Sequence, residues 1–412
     1  MSSAWFVLGL STAWTLMGLG ALIFATQRRR KAAGPAGSPE LPSVSVLKPL
    51  AGADDELEAN LESFFLQDHP SFELLFGVEA PTDPSIAVVE RLLARHPSVR
   101  ARVIIHSGLR AQNPKISNLS GIIGEAAHDL VLVSDSNIRA PLDYVRSMAA
   151  LSTSVGPRFG LATNLFAGSG ERSLGAALEA AQLNGFVAAG VAVSFRVGDP
   201  GVVGKSMLFR RSVLEELGGL ASLADVMAED YVLGKMFHHA GYQVVLSPLV
   251  LENISSRMGV PAFVERQLRW SMLRLRLNPW AFVLEPLTSP LAMLPLAYAL
   301  RGASAPGGAF WGSGAVVWAI AMILIRDLGG WLRLRGAGRI YLPLLLSPLR
   351  ELLALSIWVV TPFVKNLAWR GHRVRLGTGT RAFKAGEADL VDPRQSMVGV
   401  IDGQRTNPGQ RT

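Results

Sequence analysis

Hydrophobic residues fall into three textures along the chain, and each predicts a different kind of element. The first is unbroken: Ala4 to Thr26 runs for 23 residues without a charge, more than the roughly 20 apolar residues a membrane-crossing helix needs. Four basic residues, Arg28 to Lys31, follow at once. A cleaved signal peptide would carry its basic residues ahead of the apolar run. The segment therefore reads as an anchor, with its N-terminus outside and everything from Arg28 onward on the cytoplasmic side. Lys31 to Ser43, rich in Ala, Gly and Pro, reads as a linker.

From Val44 the runs shorten and begin to alternate. Val44–Leu47, Phe72–Val78, Val103–His106 and Leu130–Ser134 are short apolar stretches rich in β-branched or aromatic residues, which predicts strands. Between them Asp55–Leu66, Ser85–His96 and Lys115–Ala127 have helical spacing. Such alternation predicts an α/β domain with a mixed, mostly parallel sheet and helices on both faces. Ligands in these sheets bind beyond the carboxyl ends of the strands. Lys48, Glu79 and Asp135 all sit at or just past predicted strand ends. Residues 172–192 are Ala-rich and predict a helix. Gly204 to Met207 leads into a strand ending at Arg210 and Arg211. A helix opens at Glu229-Asp230, with Val232, Leu233, Met236 and Phe237 on its apolar face. Gly241 breaks it, and a strand follows over Tyr242–Leu246.

The third texture appears after Trp270. The chain stays basic and amphipathic through Arg274 and Arg276, then becomes apolar again. Leu287–Leu300 is short and broken by proline, and Phe310–Ile325 is near the lower limit for spanning. Tyr341–Val364 is interrupted by Pro343, Pro348 and the pair Arg350-Glu351, and reads as a kinked span or a re-entrant segment. An ion pair inside such a segment is either functional or interfacial. Residues 377–412 are polar and predict a disordered tail.

Composition narrows the class. With 49% hydrophobic residues and a mean hydropathy of +0.30, the chain is too apolar for an ordinary soluble enzyme and too charged in its middle for a pure membrane bundle. The absence of cysteine excludes disulfides and thiolate metal sites. A net charge of +8 would suit nucleic acid, but the basic residues flank the apolar runs, which is how charge anchors a protein at a bilayer.

Candidate chemistry lies in three places. A carboxylate at a helix start, Glu229 or Asp230, is placed to remove a proton, while Arg266 and Arg269, three apart on one helical face, suit phosphate oxygens. Asp135, at a strand end, is the right donor for a hard divalent cation; Asn137 offers only an uncharged amide oxygen. Lys115 is placed either to reach a phosphate or to stand in solvent at a helix start. Gly204 permits a close backbone approach to a ligand, or serves a bulge. Asp83 fits a turn before proline. His238 and His239 are adjacent on a helix, point apart, and have no partner at ligand spacing.

Asp135-Ser136-Asn137, Glu229-Asp230-Tyr231 and Arg266-x-x-Arg269-Trp270 together resemble the three-aspartate and (Q/R)xxRW pattern of processive-type family 2 glycosyltransferases. More narrowly, the chain resembles the ceramide glucosyltransferase family. The matching runs are residues 44–50 (VSVLKPL), 113–119 (NPKISNL), 204–207 (GKSM), 228–231 (AEDY) and 369–371 (WRG), in order over most of the chain.

The resemblance implies a GT-A (Rossmann-like) domain at 44–280 on the cytoplasmic side. It would lie between an N-terminal helix (1–27) with its linker (28–43) and a C-terminal membrane region (281–376) with its tail (377–412). It also implies transfer of a hexose from a UDP-sugar to a membrane lipid hydroxyl, UDP-glucose to ceramide, with inversion. Asp230 would be the base, with Glu229 raising its pKa. Asp135 would hold Mg²⁺ or Mn²⁺, with Asn137 where a second aspartate usually stands. Lys48, Glu79, Asp83, Lys115 and Gly204 would line the donor site, and Arg266, Arg269 and Trp270 the diphosphate and acceptor. Hopanoid-type lipid N-acetylglucosaminyltransferases share most of these motifs, but residues 255–258 (SSRM) lack the histidine expected there. From another class, Asn137 keeps open a non-catalytic membrane scaffold.

Overall fold

A computed structural model describes residues 3–27, 41–109, 111–301, 310–369 and 372–384. Most of the expected linker and the residues beyond 384 lie outside that set. The strands are β1 (Val44–Pro49), β2 (Phe72–Val78), β3 (Ala101–Ile105), β4 (Leu130–Ser134), β5 (Ile138–Arg139), β6 (Phe159–Ser169), β7 (Ser206–Arg210) and β8 (Gln243–Ile254). They form one sheet in the order β3-β2-β1-β4-β7-β6-β8-β5. β1 pairs parallel with β2 and β4, β2 with β3, and β6 with β8. β7 runs antiparallel to both its neighbours, and β5 antiparallel to β8. The sheet is mixed and mostly parallel, as the alternation predicted.

Side chains alternate across this sheet with a period of two. Val46, Leu74 and Leu132 join one core with α2 (Leu57–Phe65), α3 (Ser85–Arg95) and, past α4 (Pro114–Ile122), α5 (Tyr144–Val155). Leu47, Leu75 and Val133 join a second core on the other face. There α4 packs, as do α7 (Arg211–Glu216) and α8 (Glu229–His239), once α6 (Leu174–Arg196) has crossed between. A one-residue slip of β1 would swap Val46 and Leu47 between the cores, so burial on both faces fixes the register that sets the strand ends.

Four helices among the described residues are long and apolar enough to cross a membrane: α1 (Ser3–Gln27), α6, α12 (Ala315–Arg335) and Tyr341–Phe363, whose regular part is α13 (Tyr341–Val360). α6 was expected as a helix but not as a span. Most of its length is covered by protein, because α1 packs on it through Leu22 against Ala188, Val191 and Ala192. It contains a π-helical segment, Gln182–Val187. α9 (Val260–Leu277) runs into α10 (Pro279–Leu284). The short, proline-broken stretch at Leu287–Leu300 lies mostly in the second arm of a bend. Pro279–Thr288 and α11 (Pro290–Leu300) meet at 81°, where Ser289 caps the new helix and Pro290 takes its first turn.

Residues 377–384, expected in the tail, belong to the fold. β9 (Asn366–Trp369), β10 (His372–Leu376) and β11 (Ala382–Lys384) form a small antiparallel sheet. It packs through Val374, Leu376 and Ala382 against Met227 and Met272.

Candidate active site

The antiparallel pairing of β4 with β7 sets Ser134 opposite Ser206, so the residue after one strand meets the residue before the other. The Asp135 N–H donates to the Lys205 carbonyl at 3.0 Å. The Asp135 carboxylate then lies between two ammoniums, Lys115 Nζ at 2.8 Å and Lys205 Nζ at 3.2 Å. Lys115 comes from the first turn of α4, whose start is fixed by Asn113: its Oδ1 accepts from the N–H groups of Lys115 and Ile116, with Pro114 following. Burial would raise the Asp135 carboxyl, but the two lysines outweigh it and hold it at about 2. Burial also lowers Lys205. At Lys115 the carboxylates of Asp135 and Glu229 reverse that effect and leave it raised.

The second acidic group sits at the start of α8, where the helix dipole favours negative charge. Glu229 Oε2 accepts from Asn113 Nδ2 at 3.0 Å, and Oε1 lies 3.5 Å from Lys115 Nζ. Burial raises the Glu229 carboxyl; Lys115 pulls it back and the adjacent Asp230 pushes it up again, to about 7. Asp230 is oriented by backbone donors, accepting from the N–H of Gly204 at 2.5 Å and of Tyr231 at 2.8 Å. A Cβ at Gly204 would lie 2.7 Å from the Asp230 Cβ. The close approach that glycine permits here is therefore to Asp230.

Lys115, Asp135, Asn137, Gly204, Glu229 and Asp230 line one cleft, and Arg266, Arg269 and Trp270 of α9 form its other wall. Arg266 is tied to Glu179 of α6 at 3.1 Å, and Gln267 holds the other oxygen of that carboxylate at 2.9 Å. Three expected donor-site residues lie outside this lining. Lys48 is fully buried beneath the floor, donating to the Asp135 carbonyl at 2.8 Å and to Ser134 Oγ at 3.3 Å. Burial brings it down to about 7. Glu79 is exposed beyond β2. Asp83 stabilises a turn, accepting from Gly52 N–H and from Ser85.

Asn137 reaches the lining, but its amide is spent within the protein: Oδ1 accepts from Lys205 and Nδ2 donates to Asn253. Among the described residues no three His, Cys, Asp or Glu side chains gather into a metal cage. One ionised carboxylate facing a cleft, as at Asp135, is nevertheless the donor set of Mg²⁺-type ions that take the rest of their oxygens from substrate phosphates and water. The cation expectation thus rests on Asp135 and not on Asn137.

Sequence reasoning did not assign Lys205, Asn113 or Thr380. Asn113 precedes Pro-Lys, an N-cap signal, and Lys205 stands beside Gly204 in a run already singled out. Thr380 carries no such signal. It lies in the turn between β10 and β11: its carbonyl accepts from Met227 N–H at 3.0 Å and its Oγ1 from Ala228 N–H at 3.2 Å. Ala382 N–H donates to the Asp225 carbonyl at 2.8 Å. The loop that delivers Glu229 and Asp230 is therefore held from the far end of the chain.

Known proteins are similar to this chain over most of its length. The model of the family described as "Glycosyl transferase family 21" matches residues 10–382. Ceramide glucosyltransferase 1 of Caenorhabditis elegans is 34% identical over 253 residues, 60% of this chain and 53% of that protein. Ceramide glucosyltransferase 3 of the same organism is 31% identical over 251 residues, 60% and 54%. The chain thus spans about half the length of these curated relatives. A mannosyltransferase from Pyrobaculum calidifontis, solved with GDP-Man and Mn2+, is 17% identical with a TM-score of 0.44, covering 87% of this chain and 99% of that one. With the family match running through the first anchor, the cleft and the hairpin alike, the chain belongs to glycosyl transferase family 21.

Proposed function

We propose that the chain is a membrane-bound, inverting glycosyltransferase that moves glucose from UDP-glucose to a hydroxyl of ceramide, giving β-glucosylceramide. The observation that carries this reading is the convergence of Asp230, Asp135, two lysines and the Arg266–Trp270 face in one cleft. Its wall, α9, also packs on α6 and α13. A lipid then presents its hydroxyl without leaving the bilayer, which spares about 0.8 kcal/mol per methylene that would otherwise meet water. The relatives at 34% and 31% identity carry names that support the sugar, glucose, and the acceptor, ceramide.

In this mechanism the diphosphate lies among Lys115, Lys205, Arg266 and Arg269, whose charges oppose the negative charge that develops as UDP departs. The guanidinium forks match phosphate oxygens, and the lysines act as point charges. Asp230 accepts the proton of the acceptor hydroxyl. The acceptor oxygen forms its bond to the anomeric carbon as the bond to UDP breaks, and this single displacement inverts that centre. Glu229 shares the helix start, and its own carboxyl is pushed up by burial and by Asp230, to about 7. A divalent cation held by Asp135 would neutralise part of the diphosphate charge. The domain covers residues 44–280, on the cytoplasmic side by the basic run after α1.

Purified full-length chain in detergent with UDP-[¹⁴C]glucose and ceramide should yield labelled lipid, and EDTA should abolish it. Absence of any labelled lipid would overturn the reading. Transfer only from UDP-N-acetylglucosamine to bacteriohopanetetrol would overturn the substrate assignment alone.

A further inference from the structure

Outside the cleft the chain buries a second set of charges. Arg326 and Asp327 of α12 meet Arg350 and Glu351 of α13. Arg326 bonds Asp327 at 2.8 Å and Glu351 at 2.7 Å, and Arg350 bonds Asp327 at 2.5 Å and Glu351 at 2.8 Å. All four side chains are almost inaccessible to solvent. Two positive and two negative charges cancel, yet hydrogen bonding is incomplete: Arg350 Nε and Arg326 Nη1 are buried without a partner. A buried N–H without an acceptor is costly and uncommon in native folds.

Arg350 and Glu351 line a partly open cavity together with Gln182 and Phe186 of α6, Gln267 of α9 and Trp358 of α13. Two further features set this cavity apart from a packing gap. The π-helical segment of α6 begins at Gln182 and carries Phe186, and such bulges recur where a helix re-aims side chains toward a ligand. The cavity also borders the candidate active site directly. Gln267 on the cavity side and Arg266 on the cleft side are gripped by the same Glu179 carboxylate. Outside, the neighbouring faces of α10 and α13 expose Trp280, Val283, Leu284, Leu352 and Val359, an apolar rim suited to acyl chains.

We propose that this cavity binds the polar head of the lipid acceptor, an uncharged head carrying amide or hydroxyl oxygens, through the polar side chains of its lining. The inference rests on the lipid-transferase reading above and adds where the acceptor is held. Charge selects the class: the network is neutral, and the other ion pair on the lining, Arg274 with Glu285, is neutral too. No net positive charge is left for a phosphate head. Gln182 and Ser289 add polar groups to the same wall.

Two experiments on the full-length chain in nanodiscs test it. A ceramide bearing a diazirine beside its amide should, after irradiation, label peptides of α6 and α13. Labelling confined to other segments overturns the proposal, as does equal competition by excess phosphatidic acid. This readout needs no turnover, so it stands even if the proposed reaction fails. Ala354→Phe fills the cavity from its lining while leaving the ion network intact. It should raise the KM for ceramide roughly tenfold or more with the KM for UDP-glucose and the melting temperature unchanged. A folded variant with unaltered ceramide KM overturns the proposal; should that variant not fold, the labelling result decides.

Discussion

The cleft and the network between α12 and α13 each set two cations against carboxylates, but they are built for opposite purposes. In the cleft the cations are lysines, Lys115 and Lys205, around a partly exposed Asp135. Single flexible ammoniums exchange partners easily, so the same groups that neutralise Asp135 are free to turn to incoming phosphate. In the network the cations are arginines, whose rigid forks bind two carboxylates each at 2.5–2.8 Å with almost no solvent access. Charges there hold helices at a fixed register, whereas those of the cleft are the ones assigned above to the proposed diphosphate. The residue chosen, Lys or Arg, separates the two roles.

Substitutions that split activity from stability break or sharpen this contrast. The largest effect should come from Asp230→Asn, which keeps the shape of the cleft and removes the base. Transfer should fall on the order of 10²–10⁴-fold while the melting temperature stays put; a mere few-fold loss would remove Asp230 from the chemistry. Asp327→Ala should do the reverse in kind, leaving Arg350 and Arg326 buried and short of a partner. The loss, about 3–5 kcal/mol, should appear as a large drop in melting temperature in detergent, and an unshifted melt would mean that the network is not structural.

Thr380→Val should be milder. It deletes the acceptor for Ala228 N–H at constant volume, about 1 kcal/mol for one buried hydrogen bond, and should lower kcat more than it changes either KM.

The smallest effect concerns pH. Glu229 holds its proton up to about 7 in the folded protein, against 4.5 for the free side chain. The folded state therefore binds a proton that the unfolded chain has released between those values, and this contribution, complete below 4.5, fades as pH rises toward 7. Glu229→Gln, neutral throughout, should flatten the melting temperature over that window. An unchanged slope would place the titration elsewhere.

What could be read from sequence depended on whether a residue's role is local. β2 and β4 are apolar runs between turn residues and were legible to the residue. β6, Phe159 to Ser169, was not, because Gly160, Thr163, Asn164 and Gly168 break the expected pattern. The strand is buried along its whole length only because partners elsewhere satisfy it, such as Tyr144 on Asn164 and the Val203 carbonyl on Thr163. The membrane length of α6 was hidden by Glu179 and Gln182, polar residues that face protein rather than lipid. In the cleft, Glu229-Asp230 and Arg266–Trp270 announce themselves by chain neighbourhood. Lys205 and Asn113 matter through tertiary approach, and Lys48 occupies the right strand end but lies below the floor.

The hairpin that ends at β11 ties the start of α8 to a segment that follows the last of the long apolar helices. Met227 and Ala228 receive their acceptors from Thr380, a residue the ribosome adds only after α13 has been made. A nascent chain stopped short of that point has every residue assigned to the reaction and lacks the clasp that aims the acidic pair. On the proposed reading, the acidic pair therefore gains its last backbone support only after α13 has been made.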